Sequence, residues 1–143
     1  MFRITIVNNS VYNNRENNIW LAGITAANVG NNISWFDSNY DAIFAGSPGG
    51  HICISLGPGN SPADVCNNCI IDGNICIDDK GRAGIVLAAG SVNNVIGSSN
   101  NLSGASSIYV GDDATAAANT INLGYRKYFS PVLKPDSGSV TVG

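Results

Sequence analysis

The sequence predicts an all-β chain that coils into a β-solenoid, with one short turn, or rung, stacked on the next. The first observation is a repeated order in which a short apolar strand ends at a glycine and an Asn pair follows, as in residues 84–97. Ile85 and Leu87 are two apart and share one strand face. The second observation is the spacing of similar strands, which contain Ile19, Ile43, Ile85 and Ile108. Their separations are 24, 42 and 23 residues; with 42 interpreted as about two periods, a period in the low twenties is typical of a solenoid.

The third observation is the composition. Charged residues make up 12% of the 143 residues, about half the usual share, whereas hydrophobic residues make up 44% and the chain holds 20 Asn and 17 Gly. This apolar content excludes disorder and suits one elongated domain. The net charge of −3 comes with no basic block, so nucleic acid is not an expected partner. No apolar run approaches the roughly 20 residues of a membrane span, and no signal peptide is expected.

The strands follow one another in a regular order along the chain. We predict a first rung with strands at 2–7, 11–12 and 19–22, and a second with strands at 24–26, 31–36 and 43–45. A loop insertion, which includes a strand at 51–56, is expected over 46–64. Further rungs are predicted over 67–87, over 92–110 and from 120 onward.

Two segments depart from the strand pattern. Ala114 to Ala118 is the only helix candidate, and it is too short to stand alone, so we interpret it as a corner. After Gly124 the sequence becomes bulkier and basic, and Pro131 and Pro135 oppose a regular central strand. We therefore divide the chain into β-helical rungs at 1–124 and a cap or exit segment at 125–143.

Asn pairs mark the predicted corners. Asn tolerates left-handed backbone angles, and its amide bonds readily to nearby backbone. Because the same corner recurs about 4.8 Å further along in each rung, Asn side chains can also bond to the Asn above and below. The sequence predicts such a ladder through the pairs at 8–9, 31–32, 67–68 and 93–94. The alternative is that these residues bind a ligand.

The four cysteines lie within 24 residues, at Cys53, Cys66, Cys69 and Cys76. We expect them to be small buried side chains in neighbouring strands, with a disulfide as the alternative. Cys66 and Cys69 have the spacing of half a zinc site, but no second pair follows and His51 is far from ligand spacing. No metal or other cofactor is expected.

The rhythm Asn-x-Ile-x-x-Asn-x-Ile at 68–75, together with Gly-Ile-x-Leu-x-x-Gly at 84–90, resembles the right-handed parallel β-helix of the pectate-lyase-like superfamily. The low charge, the Asn, Ser and Gly content and the proline-containing exit are most similar to the later rungs of bacteriophage tailspikes and capsule depolymerases. The resemblance covers residues 2–124 and includes no catalytic motif.

This resemblance implies a C-terminal or later-rung fragment of a homotrimeric tailspike, located on the virion tail and facing the host surface. The partner would be bacterial surface polysaccharide, which the parent protein binds and in some cases cuts. The favoured function is receptor binding. The alternatives are a structural trimerisation module without a ligand and an independent β-helix polysaccharide lyase or hydrolase. Whether the chain is an enzyme stays open.

Aromatic residues supply a candidate surface. If Ile19, Ile43, Ile85 and Ile108 face the core, strand alternation turns Trp20, Phe44, Val86 and Tyr109 outward. Such an apolar row is either a subunit interface or a surface on which sugar rings pack. Trp35, Phe36 and Tyr40 belong either to the same surface or to the core.

Catalytic candidates are few. A glycosidase needs two carboxylates about 5–10 Å apart, and the chain has nine Asp and one Glu. Asp37 and Asp41, which flank Tyr40, form the most site-like pair. The adjacent pairs at 78–79 and 112–113 are not ready-made acid–base couples, because neighbours on a strand face opposite ways. Both pairs follow strands closely and are interpreted as turn residues. Lys80 and Arg82 could serve a lyase, and a single His51 argues against a Ser-His-Asp triad.

Overall fold

A computed structural model of the chain describes residues 3–14, 17–36, 52–57, 64–78, 83–102, 107–122 and 128–129. In these residues, three parallel sheets wind around one core. Sheet A consists of β1 (Ile4–Val7), β4 (Ala27–Gly30), β7 (Ile70–Asp72), β10 (Val95–Ile96) and β12 (Thr120–Ile121). Sheet B consists of β2 (Ser10–Tyr12), β5 (Ile33–Phe36) and β8 (Ile75–Asp78). Sheet C consists of β3 (Asn17–Leu21), β6 (Ile52–Leu56), β9 (Ala83–Leu87), β11 (Ser107–Val110) and β13 (Tyr128–Phe129).

In rungs one to three the chain visits sheets A, B and C in turn and then returns to sheet A one rung further on. In the described parts of rungs four and five, the strands belong to sheets A and C. All paired strands are parallel. The predicted parallel β-helix is therefore confirmed. Rungs one to four begin at β1, β4, β7 and β10, and β12 and β13 lie in rung five. β13 pairs with β11 beyond the predicted boundary at 124, so sheet C extends at least to Phe129.

The register corrects the predicted rung count. Ile19 pairs with Ile54, and Ile54 pairs with Ile85, so two rungs separate Ile19 from Ile85 and not the three periods inferred from the spacings of 24 and 42 residues. The sheet C strand of rung two is β6, which the sequence analysis placed within a loop insertion. Rung two is long because residues 37–51 separate β5 from β6 and residues 57–69 separate β6 from β7. The predicted strand at 43–45 lies outside the described residues.

The core is built from inward rows in which one apolar side chain stacks on its register partner. In sheet A, Val29, Ile71 and Ile96 occupy successive rungs and are fully buried. The row in sheet C is formed by Ile19, Ile54, Ile85 and Ile108. A second row beside it is formed by Leu21, Leu56, Leu87 and Val110. Because parallel strands place identical positions one above another, this alternation of buried and outward residues repeats in every rung.

The Asn ladders exist, but at two different corners. At the corner between sheets A and B, the ladder runs through Asn9, Asn32, Asn74 and Asn100. Each Nδ2 donates to the Oδ1 of the next Asn at 3.0 Å. At the corner between sheets C and A, Asn94 Nδ2 donates to Asn119 Oδ1 at 2.9 Å.

The prediction that one ladder joins the four Asn pairs is therefore wrong. Asn32 stacks on Asn74, which follows Gly73, and not on the pair at 67–68. Gly73 has a φ of 70° and takes the place that Asn31, with a φ of 54°, occupies one rung earlier. Both residue types tolerate this left-handed backbone. At the corner between sheets C and A, Asn68 and Asn93 adopt the same left-handed backbone, with φ angles of 56° and 58°.

Three further predictions concern single segments. All four cysteines are buried thiols, as expected of core residues. The corner predicted at Ala114 to Ala118 contains a short helix, α1 (Asp113–Ala117), whose N-terminus is capped by the Asp112 side chain. Asp78 is not a turn residue: it is the last residue of β8, pairs in register with Phe36 and is buried. Its predicted turn partner, Asp79, lies outside the described residues.

Candidate functional site

The outward side of sheet B carries a concentrated group of exposed apolar side chains. Tyr12, Trp35 and Ile77 are register partners in rungs one to three, and 60%, 43% and 37% of their surfaces are exposed. Ile33, which is 44% exposed, lies beside Trp35 in the same strand and on the same side. We call Tyr12, Ile33, Trp35 and Ile77 the sheet B face. An exposed apolar group of this kind is uncommon unless it contacts something.

The two aromatic rings of the sheet B face lie one above the other along the helix axis. The ring centroids of Tyr12 and Trp35 are 5.9 Å apart and the planes are tilted by 33°. This separation lies in the range of favourable aromatic pairs. Since each side chain restricts the other, the pair presents an ordered apolar surface, and Ile77 continues this surface into the third rung.

Asn18 holds the backbone beneath this face. Its Nδ2 donates to the carbonyl oxygens of Val11 at 3.1 Å and Trp35 at 3.0 Å, and to the Ser34 hydroxyl at 3.0 Å. Val11 and Ser34 point inward because they alternate with Tyr12 and Trp35. One amide at the start of sheet C thus fixes two consecutive strands of sheet B from the side opposite the aromatic rings.

The outward side of sheet C forms a second, less continuous surface. The outward row contains Trp20, Ser55, Val86 and Tyr109 in consecutive rungs. Trp20 and Tyr109 are 49% and 39% exposed, but Ser55 is only 5% exposed. We call Trp20, Val86 and Tyr109 the sheet C face. The predicted row placed Phe44 at the second position. β6 supplies Ser55 at that position. Phe44 itself lies outside the described residues and stays a prediction as a site residue.

The predicted site residues are therefore divided between two sides of the molecule. Trp20 and Tyr109 lie on the sheet C face and Trp35 lies on the sheet B face, whereas Phe36 points into the core and is 1% exposed. Tyr40 and the proposed carboxylate pair of Asp37 and Asp41 lie outside the described residues and stay predictions.

Tyr12, Ile33 and Ile77 were missed by the sequence analysis, although a usable signal was present. Tyr12, Trp35 and Ile77 each follow an inward Asn of the ladder by three residues, namely Asn9, Asn32 and Asn74. Aligning the chain on the ladder Asn, rather than on the Asn pairs, places all three side chains in one column. The positions of the ladder Asn residues therefore predict which side chains form the sheet B face.

The described residues limit the chemistry available on these surfaces. The outward positions of β2, β5 and β8 hold Ser, Tyr, Ile and Trp and no carboxylate. Asp112 is partly exposed, and hydrogen bonds from the Thr115 hydroxyl and backbone N–H lower the pKa of its carboxyl group. No group of His, Cys, Asp and Glu suited to a metal ion occurs within the described parts of the chain. Among the same residues, no helix is long and apolar enough to cross a membrane.

Stacked parallel strands, Asn ladders at two corners and an ordered aromatic face define this chain as a parallel β-helix with an exposed apolar surface. No protein-family model matches the chain. The tail spike protein of Salmonella phage epsilon15 is 32% identical over 142 residues, which is 96% of this chain and 13% of that protein. The crystal structure of the Dettilon tailspike protein superposes with a TM-score of 0.72 at 53% identity, over 80% of this chain and 21% of that one.

These matches show that the chain is related to phage tailspike proteins in both sequence and fold. The relationship confirms the resemblance to phage tailspikes drawn from the Asn and Gly rhythm. The chain spans about 13% of the length of the epsilon15 protein and 21% of the Dettilon chain. It therefore corresponds to one segment of these longer proteins.

Proposed function

We propose that this tailspike segment binds bacterial surface polysaccharide through the sheet B face. The observation that carries the proposal is the exposed Tyr12 and Trp35 pair, with ring centroids 5.9 Å apart on consecutive rungs. Sugar rings have apolar C–H faces that pack on aromatic rings, and their hydroxyl groups bond to nearby polar side chains. Ser10 lies two residues before Tyr12 on the same side of β2 and supplies such a polar group.

The geometry of the sheet B face suits an extended glycan lying along the helix axis. Consecutive rungs of a β-helix are about 4.8 Å apart, so the column of Tyr12, Trp35 and Ile77 spans about two such steps. The length of one sugar ring is similar to the distance between two consecutive rungs. Because the β-helix backbone fixes the side chains before binding, little conformational entropy is lost when a glycan docks.

The experiment is a titration of the chain with purified O-antigen and capsular polysaccharides, followed by tryptophan fluorescence and calorimetry. Trp35→Ala removes the centre of the sheet B face and is expected to weaken binding about tenfold or more. Trp20→Ala, on the sheet C face, is the matched control and leaves the affinity unchanged. Equal losses in both variants, or no binding by the wild-type chain to any polysaccharide tested, would contradict the proposal.

In this proposal any depolymerase activity is carried by other parts of the longer spike and not by this chain. The outward positions of sheet B provide no carboxylate in the strands that the structure describes, and a glycosidase needs two. We expect the isolated chain to bind polysaccharide without releasing soluble oligosaccharides. Release that is lost in Asp37→Asn and Asp41→Asn would instead favour the alternative of an independent β-helix hydrolase.

The sheet C face favours a second role, as a subunit contact in a homotrimer. Trp20 and Tyr109 are large and exposed, and Val86 lies between their rungs. Homotrimers bury such apolar rows in contacts between copies. The two faces are on different sheets, so the same chain can contact its partners through sheet C and a glycan through sheet B.

A further inference from the structure

Two buried thiols meet at the corner between sheets B and C, on the side of the backbone opposite the sheet B face. Cys53 occupies in β6 the position that Asn18 occupies in β3, since the flanking residues pair in register. Asn18 bonds to the carbonyls of Val11 and Trp35. The Cys53 thiol donates to the equivalent carbonyls one rung further on, those of Ser34 at 3.6 Å and Ile77 at 3.9 Å.

Cys76 lies next to this position. It is the inward residue of β8 that pairs in register with Ser34, and its thiol hydrogen-bonds to the Cys53 thiol. Both side chains are fully buried. The two sulfur atoms therefore come from different rungs and different sheets, and they are in direct contact inside the same corner.

The surroundings distinguish Cys53 from the other cysteines. The hydrogen bond with Cys76 lowers the pKa of the Cys53 thiol, and bonds with Ser34 and Ile77 add to this effect. Burial and the nearby Asp78 carboxylate oppose it, but the net direction is downward. For Cys66 and Cys69, burial raises the thiol pKa. Since the thiolate is the reactive form, Cys53 is a better nucleophile than Cys66 or Cys69.

We propose that Cys53 and Cys76 form an oxidation site that peroxides convert into a disulfide between rungs two and three. The Cys53 thiolate attacks one peroxide oxygen, the O–O bond breaks, and the leaving hydroxide is protonated to water. The Cys76 sulfur then attacks the sulfenic sulfur of Cys53, the S–O bond breaks, and a second water forms. Two thiols are oxidised to one disulfide while one hydrogen peroxide is reduced to two waters.

The disulfide would join β6 of rung two directly to β8 of rung three. The two residues are separated by a segment that includes the corner at 57–69 and the whole of β7. Closing this loop restricts the unfolded chain and stabilises the folded one. A spike that leaves the reducing host cell would thus gain a covalent connection between rungs two and three.

The test uses hydrogen peroxide on the folded chain, followed by alkylation with iodoacetamide in denaturant and digestion on the N-terminal side of Asp. This digestion separates the cysteines: Cys53 falls in peptide 41–63, Cys66 and Cys69 share peptide 64–71, and Cys76 falls in peptide 72–77. We expect peptides 41–63 and 72–77 to be joined, peptide 64–71 to be doubly alkylated, and dithiothreitol to reverse the link. The oxidised chain melts at a higher temperature than the reduced chain.

Variants complete the test. Cys53→Ala and Cys76→Ala each abolish the link, whereas the double variant Cys66→Ala and Cys69→Ala retains it together with the rise in melting temperature. Oxidation of peptide 64–71 in place of the 53–76 link, or four alkylated cysteines after peroxide treatment, would overturn the proposal. A link without a change in melting temperature would overturn its stabilising role. The results that would overturn the proposal are measured on the wild-type chain, so they do not depend on the folding of any variant.

Discussion

Asn74 illustrates, at the scale of one residue, why this chain is rich in asparagine. Its Nδ2 donates to the carbonyl oxygen of Val29 at 2.9 Å and to Asn100 Oδ1 at 3.0 Å. Its Oδ1 accepts from the backbone N–H and the Nδ2 of Asn32, at 3.1 and 3.0 Å. One buried side chain thus satisfies polar groups from two rungs at a corner where strand pairing cannot reach them.

Replacing Asn74 with Ala is predicted to be strongly destabilising. The substitution leaves the Asn32 donors and the Val29 carbonyl buried without their partner, which costs on the order of 3 kcal/mol. Urea unfolding monitored by circular dichroism measures the difference. Asn28→Ala is the matched control, because Asn28 is exposed on the outer side of β4, and it should change the free energy of unfolding by less than about 0.5 kcal/mol. Equal effects would show that the ladder does not stabilise the fold.

Asp112 gives a pH prediction at the same scale. The hydrogen bonds from Thr115 lower its pKa in the folded chain, so its contribution to stability is present above the unfolded value of about 3.9 and is lost as the pH falls through the lower folded value. Asp112→Asn keeps an N-cap acceptor but cannot titrate. The difference in free energy of unfolding between the wild type and this variant should therefore shrink when the pH is lowered from 5 to below 3. A difference that is constant with pH contradicts this role.

At the scale of one element, β7 shows the alternation on which the fold depends. Ile70 points outward and is 51% exposed, whereas its neighbour Ile71 is fully buried between Val29 and Ile96. The two residues have identical side chains and lie in the same strand. Their different environments follow only from the pleat of the strand.

Truncating these two residues is predicted to separate packing from strand propensity. Ile71→Ala should lower the free energy of unfolding by about 3 kcal/mol through lost burial and the cavity left behind. Ile70→Ala should lower it by less than about 1 kcal/mol, since its side chain is half exposed. Chemical denaturation of both variants provides the comparison. Similar losses would mean that Ile70 is covered in solution, and would thereby reveal a contact on the outside of sheet A.

The sequence alone did not identify the sheet C strand of rung two. The strand at 43–45 and the strand at 52–56 both have the apolar pattern of sheet C, and periodicity alone does not choose between them. The register of β6 with β3 and β9 resolves the choice in favour of Ile52–Leu56. The error followed from the length of the two segments that separate β5 from β6 and β6 from β7, since the length of such a connection is not constrained by the core.

At the scale of the whole molecule, the fold was predictable because each rung repeats the same local signals. An alternating strand, a residue tolerant of positive φ and an inward Asn recur at 23 residues between Ile4 and Ala27 and at 25 between Ile70 and Val95. The surfaces were not predictable to the same degree. A face is a column through several rungs, so one misplaced strand, such as the one containing Phe44, changes the composition of the column.

The two faces make the oligomeric state the decisive property of the whole molecule. If the sheet C face is the subunit contact, light scattering under reducing conditions should give a mass near three times 14.8 kDa. Replacing Trp20 and Tyr109 together with Ser should dissociate the trimer, because the apolar row that drives association is removed.

Trp35→Ser distinguishes the two faces in the same measurement. It should keep the trimeric mass and lose polysaccharide binding, because Trp35 lies on sheet B and the proposed subunit contact lies on sheet C. A trimer that survives the double Trp20 and Tyr109 substitution but dissociates in Trp35→Ser would reverse the assignment. Sheet B would then be the subunit contact, its aromatic pair would be covered by a second copy, and the sheet C face would become the surface on which glycan binding should be sought.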